Sequence, residues 1–149
     1  MDPKDLTHLF KKINQFDRHF GLSFTVEGAG LATYELMIAD QHLSSPGVAH
    51  GAVIAAMMDA QLGITALSLA VVDHQLCSTV ELKTNFLQPA KLGDHLIGVG
   101  EVDFKGKSLI VVSAKIQHKK TGELIARGMG TFNLYPMTKK ELSLGGMNL

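Results

Sequence analysis

The sequence predicts an α+β domain in which a mostly antiparallel sheet wraps around one long helix. Three observations predict it. The run from Gly51 to Val72 is apolar except for Asp59, Gln61, Thr65 and Ser68, and a helix apolar nearly all round belongs inside a core. The segments after it alternate in polarity with the period of strands. Glycine-containing turns divide that half into hairpins. One sheet curled around one helix would cover the helix's wide apolar surface.

Each element has its own signal. Apolar residues at Leu6, Leu9, Phe10, Ile13, Phe16 and Phe20 form a helical stripe that Gly21 ends, which predicts a helix over residues 5–20. Ser23–Glu27 and Leu31–Ile38 read as strands joined by Gly28-Ala29-Gly30. Asp40 to Ala49 contains Ser44-Ser45-Pro46-Gly47 and reads as a loop. The long helix should start near Gly51 and fade around Val71, before Asp73-His74. Val80, Leu82, Thr84 and Phe86 then alternate with Thr79, Glu81, Lys83 and Asn85, the pattern of a strand with one buried face. Leu96–Phe104 and Leu109–His118 flank the turn Lys105-Gly106-Lys107, and Glu123–Leu134 follows a turn at Lys119-Lys120-Thr121-Gly122. From about Pro136 the tail is polar and should be loose.

The 149 residues predict one domain, 1–149, with a sizeable core. Apolar residues make up 46% and charged residues 19%, which excludes a disordered chain. Fourteen basic residues balance fourteen acidic ones, so nucleic acid and anionic membrane are not expected partners. The single cysteine, Cys77, cannot form an internal disulfide, and the N-terminus Met-Asp-Pro-Lys-Asp does not resemble a signal peptide. Both point to a cytoplasmic protein. A membrane span over Gly51–Val72 is disfavoured by Asp59 near its middle and by the lack of flanking lysine or arginine.

Two features carry chemistry. Asp59 is a lone carboxylate in a greasy helix, where burial of a charge needs a reason. Gly51 follows His50 at the start of that helix and offers a bare N–H at the positive end of the dipole. A carboxylate to drive attack and an amide to hold an oxyanion are the halves of an acyl-transfer site. Eight residues separate them, roughly 12 Å along a helix axis, too far to grip one carbonyl from one chain. Two antiparallel helices across a two-fold axis would bring them together. A homodimer would also cover the open sheet edge and the rest of the helix.

His50-Gly51-Ala52 with Asp59 and the preceding Gly47 resembles the hotdog-fold acyl-CoA thioesterases, most closely the phenylacetate-pathway and human thioesterase-superfamily-member-2 type. Asn85 to Asp94, Gly106-Lys107-Ser108-Leu109 and Thr121 to Ala126 resemble that family's later strand-to-turn segments. The resemblance spans roughly residues 20 to 134. It implies a hotdog fold, a homodimer or dimer of dimers, and hydrolysis of an acyl-CoA to free acid and coenzyme A without metal or redox cofactor. It further implies that Asp59 acts as nucleophile or as general base on water, Gly51 as oxyanion donor and His50 as a positioning residue. Thr79 matches a family position with a hydroxyl near the site. Two departures stand out. Ala52 replaces a second glycine, and Ser44 occupies a position where the family often has an asparagine.

Lys105, Lys107 and Lys91 are candidates for the phosphates of coenzyme A, or simply solvated turn lysines. The bland alternatives are a structural Asp59 paired with a hydroxyl, a capping His50 and a close-packing Gly51. Met57 and Met58 would serve the core or the acyl pocket. The six other histidines form no metal-ligand spacing, and no Gly-x-Ser-x-Gly elbow is present. A non-catalytic acyl-CoA binder or sensor on the same fold is the rival reading.

Overall fold

The computed structural model describes residues 1–138; most of the tail expected from about Pro136 lies outside the described residues. In chain order the elements are α1 (Asp5–Ile13), α2 (Gln15–Phe20), β1 (Ser23–Gly28), β2 (Leu31–Met37), a 3-10 turn (Asp40–His42), β3 (Leu43–Ser45), β4 (Val48–Ala49), α3 (Gly51–Ala70), a second 3-10 turn (Val71–Asp73), β5 (Gln75–Phe86), β6 (His95–Lys105), β7 (Leu109–His118) and β8 (Leu124–Pro136).

The helix expected over 5–20 is broken into two. Asn14 leaves the helical region at φ −80°, ψ 92°, and its side chain accepts the Asp17 N–H at 3.0 Å, capping α2. Asparagine is among the best residues for that role. Gly21 ends α2 with φ 76°, a left-handed conformation that costs glycine little.

Six strands form one antiparallel sheet in the order β1-β2-β6-β7-β8-β5. Between β2 and α3, where a loop was expected, β3 and β4 pair as a short separate hairpin. Pro46-Gly47 makes its turn, with Gly47 at φ 73°.

The long helix α3 packs on one face of the sheet, touching β2, β5, β6, β7 and β8. Glycines on β6 allow the approach. A Cβ at Gly100 would overlap Thr65 Oγ1, and one at Gly98 would stand 2.9 Å from Gln61 Oε1. Gln61 uses that proximity: its Oε1 accepts the Tyr34 N–H and its Nε2 donates to the Ala32 carbonyl, both at 2.8 Å. A buried amide is tolerated because all its bonds stay inside the core. Although α3 is long and apolar enough to cross a membrane by composition, most of it is buried in this protein's own core. An antiparallel sheet around one long central helix is the hotdog fold that the resemblance implied.

One sheet leaves part of α3 uncovered, as expected. Two other expectations, burial of Asp59 and of the apolar face of β5, need correction. Val53, Ile54, Met57, Met58 and Leu62 are buried against the sheet, whereas Gly51, Ala52 and Asp59 are exposed and Ala55, Ala56 and Ala60 half-buried. The Asp59 carboxylate therefore sits on an open stripe, not in the core, and a single chain bears no burial penalty for it. The apolar face of β5 is open as well: Val80 is 64% exposed, Leu82 37% and Phe86 55%. β5 is the last strand of the sheet, so among the described residues no further strand pairs with that edge.

Candidate active site

The start of α3 is built by local hydrogen bonds. His50, with φ −64° and ψ 138°, is its N-cap: Nδ1 accepts the Ala52 N–H at 2.9 Å and the carbonyl accepts the Val53 N–H at 3.0 Å. An accepting Nδ1 puts the ring proton on Nε2, which is then free to donate. The His50 N–H donates to the His42 carbonyl at 2.8 Å, anchoring the cap. Helix N-termini leave their first N–H groups without internal partners. His50 takes up two of them, and the exposed Gly51 N–H has no protein acceptor among the described residues. His50 thus caps α3, and it does so without engaging the Gly51 donor.

Asp59 lies two turns further along α3. Its Oδ1 accepts a hydrogen bond from Thr79 Oγ1 at 3.1 Å. This pairing depends on a β-bulge. Thr79 lies opposite Phe132 while Glu81 lies opposite Thr131, leaving Val80 as the extra residue. The bulge shifts the alternation by one, so Thr79 shares the helix-facing side with Leu82, Thr84 and Phe86. Simple alternation had put Thr79 on the opposite side. Bulges often re-aim a side chain in this way.

Asp59 and Thr79 line a cleft of about 350 Å³ that runs between α3, β5 and the N-terminal helices, with Phe10, Cys77 and Phe132 also in its wall. Gly51 lines a different hollow of about 300 Å³ with Ile54, Phe86 and Pro89. The two hollows share no residue. Burial pushes the Cys77 thiol up to about 12, so it is a protonated thiol at neutral pH and a poor nucleophile.

The remaining sequence candidates are scattered. Ser44 is exposed on β3 and is not part of the Asp59 cleft wall. Met57 and Met58 are fully buried core residues, outside that wall. Lys91 lies on the β5–β6 connection, which bridges to Val48 just ahead of His50. Lys105 stands in one cross-strand row with Ile110, Phe132 and Thr79, three strands away from Thr79, and is ion-paired with Asp73. Lys107 is exposed in the adjoining hairpin. Among the described residues no three His, Cys, Asp or Glu side chains are arranged to hold a metal.

Among the cleft residues that escaped the sequence reading are Asn14, Asp17 and Tyr34. Asp17 is buried, and its Oδ2 accepts the Tyr34 hydroxyl at 2.6 Å. Burial raises the Asp17 carboxyl above the ordinary aspartate range, against the hydrogen bonds of Tyr34 and Asn14 that pull it down. Burial also raises the Tyr34 phenol, with Asp17 adding to the effect. A signal was available. Leu6, Phe10, Ile13, Asp17 and Phe20 follow one helical spacing, so Asp17 is a charge at a stripe position.

The chain and its fold have counterparts among known proteins. The thioesterase superfamily model matches residues 46–125, from the β3–β4 turn into β8. Human acyl-coenzyme A thioesterase 13 is 27% identical over 133 residues, covering 88% of this chain and 93% of the human one. Zebrafish thioesterase superfamily member 2 superposes with a TM-score of 0.77 at 20% identity, over 91% of this chain and 99% of that one. The Escherichia coli PaaI protein from the phenylacetic acid degradation operon superposes with a TM-score of 0.75 at 18% identity, over 89% and 98%. The two structural likenesses bear on the fold, and the family model bears on descent. With its central helix, its His50-Gly51 cap and Asp59 inside the matched segment, the chain belongs to the thioesterase superfamily.

Proposed function

We propose that this protein, as one domain, hydrolyses acyl-CoA thioesters to a free carboxylic acid and coenzyme A, and does so as a homodimer with two shared sites. Kinship with human acyl-coenzyme A thioesterase 13 along most of both chains supports the substrate class. One observation carries the shared site: Asp59 and the Gly51 N–H line separate hollows of the same chain yet lie on the same open side of α3. A second copy packed antiparallel on that side would set the Gly51 of one protomer against the Asp59 of the other. The exposed β5 flank would be covered in the same step.

In this reading Asp59 either takes a proton from the attacking water or attacks the carbonyl carbon itself. The resulting oxyanion accepts the Gly51 N–H, and the C–S bond breaks to release the coenzyme A thiolate, which takes up a proton from Asp59 or from solvent. In the nucleophilic route water then hydrolyses the acyl–Asp59 anhydride to release the free acid. Thr79 holds the Asp59 carboxylate in place, and His50 positions the loop and offers its Nε2–H to the substrate. No metal or redox cofactor enters this chemistry. Lys91, bridged to the β3–β4 hairpin just ahead of Gly51, is better placed for a coenzyme A phosphate than the ion-paired Lys105 or its neighbour Lys107. Ser44 has the weakest claim to a role. A dimer of dimers and a cytoplasmic location complete the proposal.

The test uses two single variants. Asp59→Asn removes the attacking group. Gly51→Pro removes only the N–H: proline suits the first helical position, and the extended His50 backbone already has the conformation that a following proline requires. Asp59→Asn should abolish thiol release, and Gly51→Pro should lower kcat about 10²–10³-fold. Gly51→Ala, which keeps the N–H and meets Phe86 only at 3.7 Å, should stay close to wild type. Mixing the two inactive variants should restore some activity, because half of the hybrid sites carry both groups. No recovery with subunit exchange demonstrated would overturn the shared site. Tight acyl-CoA binding with no thiol release by the wild type would favour the binder instead.

A further inference from the structure

The cleft beside Asp59 is not uniformly apolar. Phe10, Ile64, Leu67 and Phe132 make much of its wall, but Asn14, Asp17 and Tyr34 supply three polar side chains where α2 meets β2. Plain hydrocarbon would gain nothing from them, and it would leave a desolvated carboxyl facing it. Asp17 also has hydrogen-bonding capacity in reserve. A carboxylate can accept about four hydrogen bonds; Tyr34 supplies one at 2.6 Å, and the Asn14 side chain is its other partner. The cleft volume, about 350 Å³, falls at the lower end of the range for small-molecule pockets.

We propose that this polar group forms the distal end of the acyl pocket and selects acyl groups carrying a hydroxyl, which donates to Asp17 while Tyr34 and Asn14 hold the carboxyl in place. The proposal deepens the thioesterase reading and rests on it for the position of the thioester end at Asp59. It predicts discrimination of a kind that apolar pockets do not provide. A site built to bond a hydroxyl rejects the analogue lacking it far more strongly than a greasy pocket rejects one extra methylene.

The experiment compares straight-chain acyl-CoAs of about six to ten carbons with their ω-hydroxy counterparts, the pocket size bounding the series. Wild-type kcat/KM should favour the hydroxy member at one chain length by about tenfold or more. The double variant Asp17→Leu/Tyr34→Phe removes both members of the pair, so neither is left as a buried orphan. It should lose most of that preference while still hydrolysing the plain acyl-CoA. Equal wild-type rates for both members at every length would overturn the proposal. So would a preference that survives in the double variant, since a pair that merely ties α2 to β2 would change melting temperature and leave the ratio alone. If neither thioester is hydrolysed, the reaction reading fails, and competition between the free ω-hydroxy acid and the alkanoic acid for the wild-type cleft decides the pocket separately. Preferential binding of the hydroxy acid supports the proposal, and equal binding overturns it.

Discussion

The two edges of the sheet are managed in opposite ways. At one edge β1 is six residues long, keeps Phe24 and Val26 buried, and is backed by α1, whose Thr7 Oγ1 accepts the Val26 N–H at 3.0 Å. At the other edge β5 is twelve residues long and leaves Val80, Leu82 and Phe86 open. Short, backed strands are how proteins blunt an edge, while long exposed apolar ones invite pairing. Asp59, Thr79 and Gly51 all gather on the open side. The difference teaches that one edge is closed within the chain while the other is left open beside Asp59 and Thr79; in the proposed dimer that open edge would serve assembly and chemistry together.

Breaking the open edge should have the largest effect. Val80→Asp with Leu82→Lys places charge on β5 without touching Asp59 or Gly51. In the shared-site reading it should yield a folded monomer with thiol release down at least about 100-fold, since the oxyanion donor of the neighbour is lost. Sedimentation and circular dichroism would check assembly and fold. A monomer with full activity would separate the edge from the chemistry.

Sharpening the same side comes next. Thr79→Val removes the hydroxyl that bonds Asp59, and hydrogen bonds to charged groups are worth about 1.5–3 kcal/mol. Much of that is offset by water at an exposed carboxylate, so kcat should fall about tenfold, with Thr79→Ser restoring it and KM little changed. The closed edge should respond differently. Thr7→Val leaves the Val26 N–H without its acceptor and should cost about 1 kcal/mol of stability, read by urea unfolding, with turnover unchanged.

Much of the fold was legible. The helix start at His50-Gly51, the hairpin turns and most strand limits follow from local patterns that tertiary contacts reinforce. The β3–β4 hairpin and the break at Asn14 were missed because a two-residue strand and a single cap leave little periodic trace. For the site, the Gly51 to Asp59 separation was readable from helical rise alone. The exposure of Asp59 was not, because an apolar helix gives no sign of which stripe the sheet leaves open. Alternation put Thr79 on the wrong side of β5, since a bulge is a property of two paired strands and not of one. Asp17 was visible as a charge at a stripe position, but its partner Tyr34 comes from another element.

By itself the sequence determined periods and spacings: one long helix, alternating strands, and a carboxylate two turns from a free helix-terminal amide. Those quantities depend on bond geometry and on the polarity of neighbouring residues, which any stretch of chain carries within it. The tertiary structure decided which faces meet. It left Asp59 open, turned Thr79 toward it through the bulge, and buried Asp17 against Tyr34. Each of these depends on register and packing between segments far apart in the chain, where a shift of one residue exchanges the two faces of a strand.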